Sequence, residues 1–295
     1  MKLDTLIETL PRKGIEGLAF PRNLLGFFRR KSISFCTGVT DEVTIVYWVQ
    51  SKTFSIDLRL SEAGSTPLTE RQGWVGDTLW DDSTRQLSWH IERSYQPRNQ
   101  WPEPAMLSFI GNCVLEFAPS GAYVEDWRQQ VVEGPYLGLR LLRMVDQVTG
   151  EETPLSGGLV VAGKDVAYAR SRLPHVDDAL QRSGCLEAAL AGGIATEPEI
   201  ESYEVSIATG GRDITYSTQA HRQGDRIDAG DFSIRPDGLI ACETVIDGDR
   251  CILLYEVDVF EPHFTFDIQT PSTSEASNWL EAEKHHLARH AVLVG

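Results

Sequence analysis

The chain has 295 residues, 41% of them hydrophobic and 24% charged, with a formal net charge of −16 at neutral pH. That balance fits one large or two modest folded domains and excludes a disordered chain. An acidic surface repels nucleic-acid phosphates and anionic membranes, so neither is an expected partner.

Residues 1–31 read as an approach segment: a short helix from Leu3 to Leu10, then a stretch broken by Pro and Gly that carries Phe27, Phe28, Arg29 and Arg30. Met1-Lys2-Leu3-Asp4 has early charge and no apolar core, unlike a secretory signal. Residues 32–172 read as a larger β-domain. Its expected strands are 33–38, 43–50, 53–60, 71–78, 85–94, 106–117, 122–129, 137–146, 157–163 and 166–171. Short turns between many strands favour an antiparallel up-and-down barrel or a sandwich over an α/β design. Residues 173–196 read as a linking helix, with Asp177 and Asp178 near its start and Gly192-Gly193 at its end. Residues 197–295 read as a smaller β-domain with strands at 201–208, 212–218, 231–235, 239–246, 250–260 and 263–269. A C-terminal helix over 274–291 completes it.

The hairpin at 43–60 is the most informative segment. Val43 to Gln50 is rich in β-branched and aromatic residues, and Phe54, Ile56, Leu58 and Leu60 alternate with Ser55, Asp57 and Arg59. A turn at Ser51-Lys52 sets Trp48 opposite Ser55 and Val46 opposite Asp57. One face is then wholly apolar, and the other carries Thr44, Trp48, Gln50, Asp57 and Arg59. Antiparallel sheets commonly leave such a face in water, yet a large indole is rarely left there. The alternative is an enclosed lumen with a few polar groups among aromatic walls.

Other strands add polar groups beside aromatics. A period of two aligns Tyr123, Glu125 and Trp127 on one face, and Tyr168 with Arg170 on another. A lumen holding Asp57, Glu125, Arg59 and Arg170 suits a carboxylate or a polarised carbonyl, because Arg offers a planar fork of donors. A desolvated Asp57 or Glu125 would titrate high, as a proton-transfer group must. The competing reading is a buried network in which these charges satisfy one another.

Gly26-Phe27-Phe28-Arg29-Arg30, Trp48-Val49-Gln50, Phe54-Ser55-Ile56-Asp57-Leu58-Arg59 and Tyr168-Ala169-Arg170 resemble segments of uncharacterised bacterial relatives of the fungal Hri1 family. The resemblance spans residues 24 to 220 loosely, and Phe27-Phe28 stands where a Leu-Trp pair is usual. It implies a pair of lipocalin-like β-barrels and a hairpin whose polar face looks into a lumen. It implies no activity, and the acidic, histidine-bearing C-terminus lies outside it.

The five cysteines (Cys36, Cys113, Cys185, Cys242, Cys251) are odd in number and form no Cys-x-x-Cys pair, which fits a reducing cytoplasm. No apolar run approaches about 20 residues, the length of a membrane span. His286 and His290 have metal-chelating spacing but no third ligand, and His90 is a lone histidine on its strand. Nucleophile elbows and phosphate loops are absent, and Gly157-Gly158, Gly192-Gly193 and Gly210-Gly211 read as turns or caps. No metal and no cofactor is expected.

The leading expectation is a lipocalin-like barrel that encloses a small apolar or carboxylate-bearing organic molecule. Trp48, Gln50, Arg59, Trp127, Tyr168 and Arg170 would be its contacts. A cofactor-free isomerase, cyclase or lyase using Asp57 and Glu125 is the first alternative. An interaction protein without a small-molecule site is the second.

Overall fold

The computed structural model describes residues 1–61, 66–98, 103–246 and 248–292. The first sheet contains β1 (Gly26–Phe35), β2 (Thr40–Asp41), β3 (Ile45–Gln50), β4 (Phe54–Leu60), β5 (Gln72–Asp81), β6 (Gln86–Ser94), β7 (Ala105–Ile110), β8 (Cys113–Phe117) and β9 (Tyr123–Gln129). Each strand pairs antiparallel with its neighbour, and β9 returns to β1 with Phe28 opposite Gln129 and Phe35 opposite Tyr123. The two-residue β2 is a flap on β1, so the closed wall has eight strands.

The second sheet contains β10 (Glu133–Asp146), β11 (Glu152–Ala162), β12 (Asp165–Arg170), β13 (Glu204–Ala208), β14 (Tyr216–Ser217), β15 (Asp231–Ile234), β16 (Ile240–Ile246) and β17 (Asp249–Thr265). Its order is β14-β13-β12-β11-β10-β17-β16-β15, and among the described residues nothing pairs β14 with β15. One barrel is therefore closed, and the other sheet is open. Helices α1 (Leu3–Thr9), α2 (Pro174–Ser183), α3 (Leu186–Ala191), α4 (Glu197–Glu201) and α5 (Ser274–Leu287) complete the chain.

Several elements differ from the sequence-based expectation. The first strand begins at Gly26, inside the segment expected only to approach the barrel. The stretch at 106–117 folds back at Gly111, whose φ of +53° suits glycine, to make two strands. Strands β10 to β12 belong to the second sheet because they pair with one another and with β17, over a hundred residues away. The helical segment therefore interrupts the second sheet instead of standing between the two. It breaks at Gly184, which caps α2 with φ +80°. Residues 249–265 form one strand through Pro262, which sits where the β10 register shifts and a missing N–H is tolerated. The final helix stops at Leu287.

The hairpin turn is Lys52-Thr53, one residue later than expected, with Ser51 N–H bonded to the Phe54 carbonyl at 2.8 Å. Trp48 accordingly faces Asp57, and Gln50 faces Ser55. Both turns are two residues long, so the division into faces survives the shift. Neither face meets water. Trp48 and Asp57 point into the barrel, while Tyr47, Val49, Ile56 and Leu58 join a core with Val160, Ala167, Ala169, Val205 and Ile207 of the second sheet.

That contact explains Gly158, whereas its neighbour Gly157 is confined by the adjacent strand of its own sheet; both lie within β11 and not in a turn. A Cβ on Gly158 would lie 2.6 Å from the Phe54 ring, and one on Gly157 2.3 Å from the Ala169 carbonyl oxygen. Polar links fasten the same contact. The Tyr136 hydroxyl donates to the Gln50 carbonyl at 2.7 Å, and Asp258 accepts from Ser51 Oγ at 2.6 Å and Thr53 Oγ1 at 2.7 Å. Nearby, Arg172 lies between the Tyr95 and Tyr203 rings and donates to the Ile200, Ser94 and Tyr95 carbonyls. It ties α4 and the end of β6 to β12.

The far face of the second sheet has its own core of Leu137, Leu139, Leu159, Val166, Leu253 and Phe260, covered at one end by Leu3 and Leu6 of α1. Along β12, Ala167 and Ala169 face the closed barrel, while Val166, Tyr168 and Arg170 face away from it.

Candidate functional site

The closed barrel has an aromatic interior. Trp48 stacks on Phe28 with ring centroids 5.3 Å apart, meets Trp127 edge-on at 5.7 Å and meets Trp89 edge-on at 6.0 Å. Trp74 packs on Trp89 at 5.7 Å. Such edge and offset contacts are the favoured arrangements of aromatic rings.

Charges fill the remaining wall. Arg59 donates to both oxygens of Asp57 at 2.9 and 3.2 Å. Arg30 bridges Glu125 at 2.7 Å and Asp41 at 2.9 Å. Glu116, directly across the β8–β9 ladder from Glu125, accepts from the Trp127 indole at 3.1 Å and the Tyr123 hydroxyl at 3.4 Å.

Burial is the main force on Glu116, and repulsion from Glu125 adds to it. Arg59 and the two hydrogen bonds oppose them incompletely, so the carboxyl is pushed up to about 8. Burial acts against the charge of Arg59, but Asp57, Glu125 and Glu116 outweigh it and hold the guanidinium charged. The space left among these groups is a cavity of about 20 Å³. That is room for about one water molecule.

Of the residues singled out from the sequence, Trp48, Asp57, Arg59, Glu125 and Trp127 meet in this lumen. Gln50 does not line the cavity. Its amide nitrogen donates to Thr78 Oγ1 at 2.8 Å and to the Phe54 and Ser51 carbonyls, while its oxygen accepts from the Trp48 indole at 3.3 Å. Gln50 thus seals the hairpin end of the barrel. Arg30, Trp74 and the central position of Glu116 were not anticipated. Arg30 was hidden because its strand was not expected to start before residue 33. Glu116 was detectable, since the period of two that aligns Tyr123, Glu125 and Trp127 applies equally to its own strand.

Tyr168 and Arg170 lie elsewhere, on the opposite side of β12. They line a cavity of about 250 Å³ on the far face of the second sheet, together with Glu204, Arg222 and Tyr255. Glu204 is buried and accepts from Ser206 Oγ at 2.7 Å and from Arg222 at 3.1 Å. Burial is the leading cause that raises both the Tyr168 and Tyr255 phenols, so both are hydroxyl donors at neutral pH. Tyr255 is only 1% exposed. A wider groove of about 660 Å³ adjoins this cavity and shares Arg170, Pro198, Ser202 and Ile246 with it.

No cluster of three or more His, Cys, Asp or Glu side chains suited to a metal ion occurs among the described residues. No described helix is long and apolar enough to cross a membrane. Fold and cavities together define a closed eight-stranded antiparallel barrel with an added open sheet and helices, an architecture compatible with holding a small organic molecule. Comparison of the chain with protein-family models, with curated proteins and with solved structures finds no match.

Proposed function

We propose that this chain binds a small organic molecule, and that the chamber is the cavity against Tyr168 and Arg170, with the closed barrel as its scaffold. One observation carries the reading. About 250 Å³ is open on the second sheet, against about 20 Å³ in the closed lumen. Ligand sites are concave and partly pre-formed, with a few buried polar groups on an otherwise apolar lining. Leu159, Phe232 and Leu253 supply the apolar part here, and Arg170, Arg222, Glu201, Glu204, His221, Tyr168 and Tyr255 make the lining more polar than is usual. A lipocalin-like character for the closed barrel, and kinship with the bacterial relatives of the Hri1 family, belong to the same proposal and rest on the short motifs. The free state of all five cysteines supports a cytoplasmic location.

Native mass spectrometry of the protein purified from its own host tests the reading. The wild type is expected to carry a bound mass that is lost in Arg170→Met and Tyr255→Phe and kept in Trp89→Phe. Loss in Trp89→Phe alone would move the ligand into the closed barrel.

A second reading is favoured by the protonated Glu116 beside Glu125 and Arg59. In it the closed lumen moves a proton, with Asp57 or Glu125 as base and Arg59 stabilising negative charge, as a cofactor-free isomerase, cyclase or lyase would. Trp48 and Trp127 would then be substrate walls. Deuterium uptake by the co-purified molecule in heavy water, abolished in Glu125→Gln, would support this chemistry. Absence of uptake in the wild type would end it.

A further inference from the structure

We propose that the chamber of the second sheet takes a neutral, polyhydroxylated ring, a monosaccharide or a cyclitol, and not an ion. The inference rests on the reading that the ligand sits against Tyr168 and Arg170, and it adds the ligand's chemical class.

The charges of the lining are closed among themselves. With His221 counted neutral, Arg170, Arg222, Glu201 and Glu204 are two cations and two anions. Arg222 pairs with Glu204 at 3.1 Å and with Asp225 at 3.2 Å, Glu201 pairs with Arg71, and Arg170 is engaged as well. Adding Arg71 and Asp225 keeps the balance at three against three. A carboxylate-bearing ligand, the expectation from the sequence, would therefore meet no spare cation here, and an amine no spare carboxylate. Either would give up its hydration without a counter-charge to replace it.

The hydrogen-bonding capacity left over is neutral and runs in both senses. Tyr255 is 1% exposed and lines the cavity, and its hydroxyl has no hydrogen-bond partner among the described residues. Burial keeps this phenol and that of Tyr168 protonated, so both can donate. Gln219, 8% exposed, donates from its amide nitrogen to the Glu201 carbonyl at 2.9 Å, while its amide oxygen accepts nothing among the described residues. Ser202 Oγ donates to the Glu199 carbonyl at 2.8 Å and keeps its lone pairs. Phenol donors beside amide and hydroxyl acceptors match hydroxyl groups, each of which donates and accepts at once. A ligand with a single polar atom would leave most of these groups unpaired, and a site built to bond a hydroxyl discriminates strongly against that.

The remaining lining suits the body of such a ring. Leu159, Ile227, Phe232 and Leu253 are apolar and share the cavity, and a sugar ring carries C–H groups on its faces and hydroxyls on its edge. A volume of about 250 Å³ is at the small end for organic ligands, which fits one ring.

Saturation-transfer NMR and isothermal titration of the full chain test the class. The neutral probes are D-glucose, D-galactose, D-mannose and myo-inositol. The charged probes are D-glucuronate, D-galacturonate, D-glucosamine and D-galactosamine, and cyclohexanol is the ring with one hydroxyl. At least one neutral polyol is expected to bind, about tenfold or more tightly than every charged probe and than cyclohexanol. Tyr255→Phe and Gln219→Leu should each weaken that polyol about tenfold, with circular dichroism checking that each variant is folded. Equal or tighter binding of a charged probe would overturn the neutral class. Equal binding of cyclohexanol would overturn recognition through several hydroxyls. Indifference of polyol binding to both variants would overturn the placement. No binding of any neutral polyol would overturn the proposal outright, and the bound mass carried by the wild type would still judge the site separately.

Discussion

The closed barrel and the open sheet are built from similar strands, yet they use their inward polar residues in opposite ways. In the barrel every carboxylate of the lumen has a partner, and four tryptophans occupy what remains. In the open sheet the arginines and phenols stand around a cavity more than ten times larger, about 250 against about 20 Å³. Closure explains the difference. Eight strands enclose an interior that side chains can fill, and a charge trapped there must be paired. A sheet with unjoined edges leaves one face to be covered by whatever lies beyond it. Here α1 covers one end and the rest is cavity.

The largest effect should come from unpairing the barrel. Arg30→Met removes the hydrogen-bonded ion-pair partner of the buried Glu125 and is expected to destabilise by about 3–5 kcal/mol in urea unfolding. Arg30→Met with Glu125→Leu should recover much of that loss. If the single variant is neutral, the lumen is wet and the contrast between the regions fails.

The contact between the regions comes next. Gly158→Val drives a side chain into the Phe54 ring and should cost about 1–3 kcal/mol. Phe54→Leu in the same chain should return part of it. Independent additive losses would mean that the sheets do not press on each other there.

A pH dependence separates the two interiors further. Because the native Glu116 carboxyl titrates near 8 instead of near 4.5, the folded chain holds a proton that the unfolded chain releases between those values. Stability from this group is fully present below about 4.5 and is lost as pH rises toward 8. The loss should be roughly 1–2 kcal/mol, since relaxation of the site reduces the limit of about 1.4 kcal/mol per pH unit. Glu116→Gln should flatten that part of the stability profile. An unchanged profile would show that Glu116 is ionised in the fold.

The smallest stability effect belongs to the open sheet. Tyr255→Phe removes a hydroxyl with no hydrogen-bond acceptor among the described residues and should shift stability by less than about 0.5 kcal/mol, while the bound mass is lost. A large destabilisation would make Tyr255 part of the core and not of a site.

How much of this was legible follows from which interactions are local. The face assignment of the hairpin could be read because period-two alternation belongs to the strand itself. Its register could not, because Ser51 and Thr53 are held by Asp258, some two hundred residues later. Tyr168 and Arg170 were rightly placed on one strand face, but whether that face looked into the barrel depended on the pairing of β12 with β11 and β13. Gly157-Gly158 resembled a turn because glycine marks both a turn and a close approach, and only the Phe54 ring distinguishes them.

A crystal structure of the protein carrying the molecule it retains from its own host is the most direct test. The account predicts density between Arg170 and Tyr255, with the tryptophans of the barrel unmoved. Density between Trp48 and Trp127, with those rings displaced to admit it, would contradict the account.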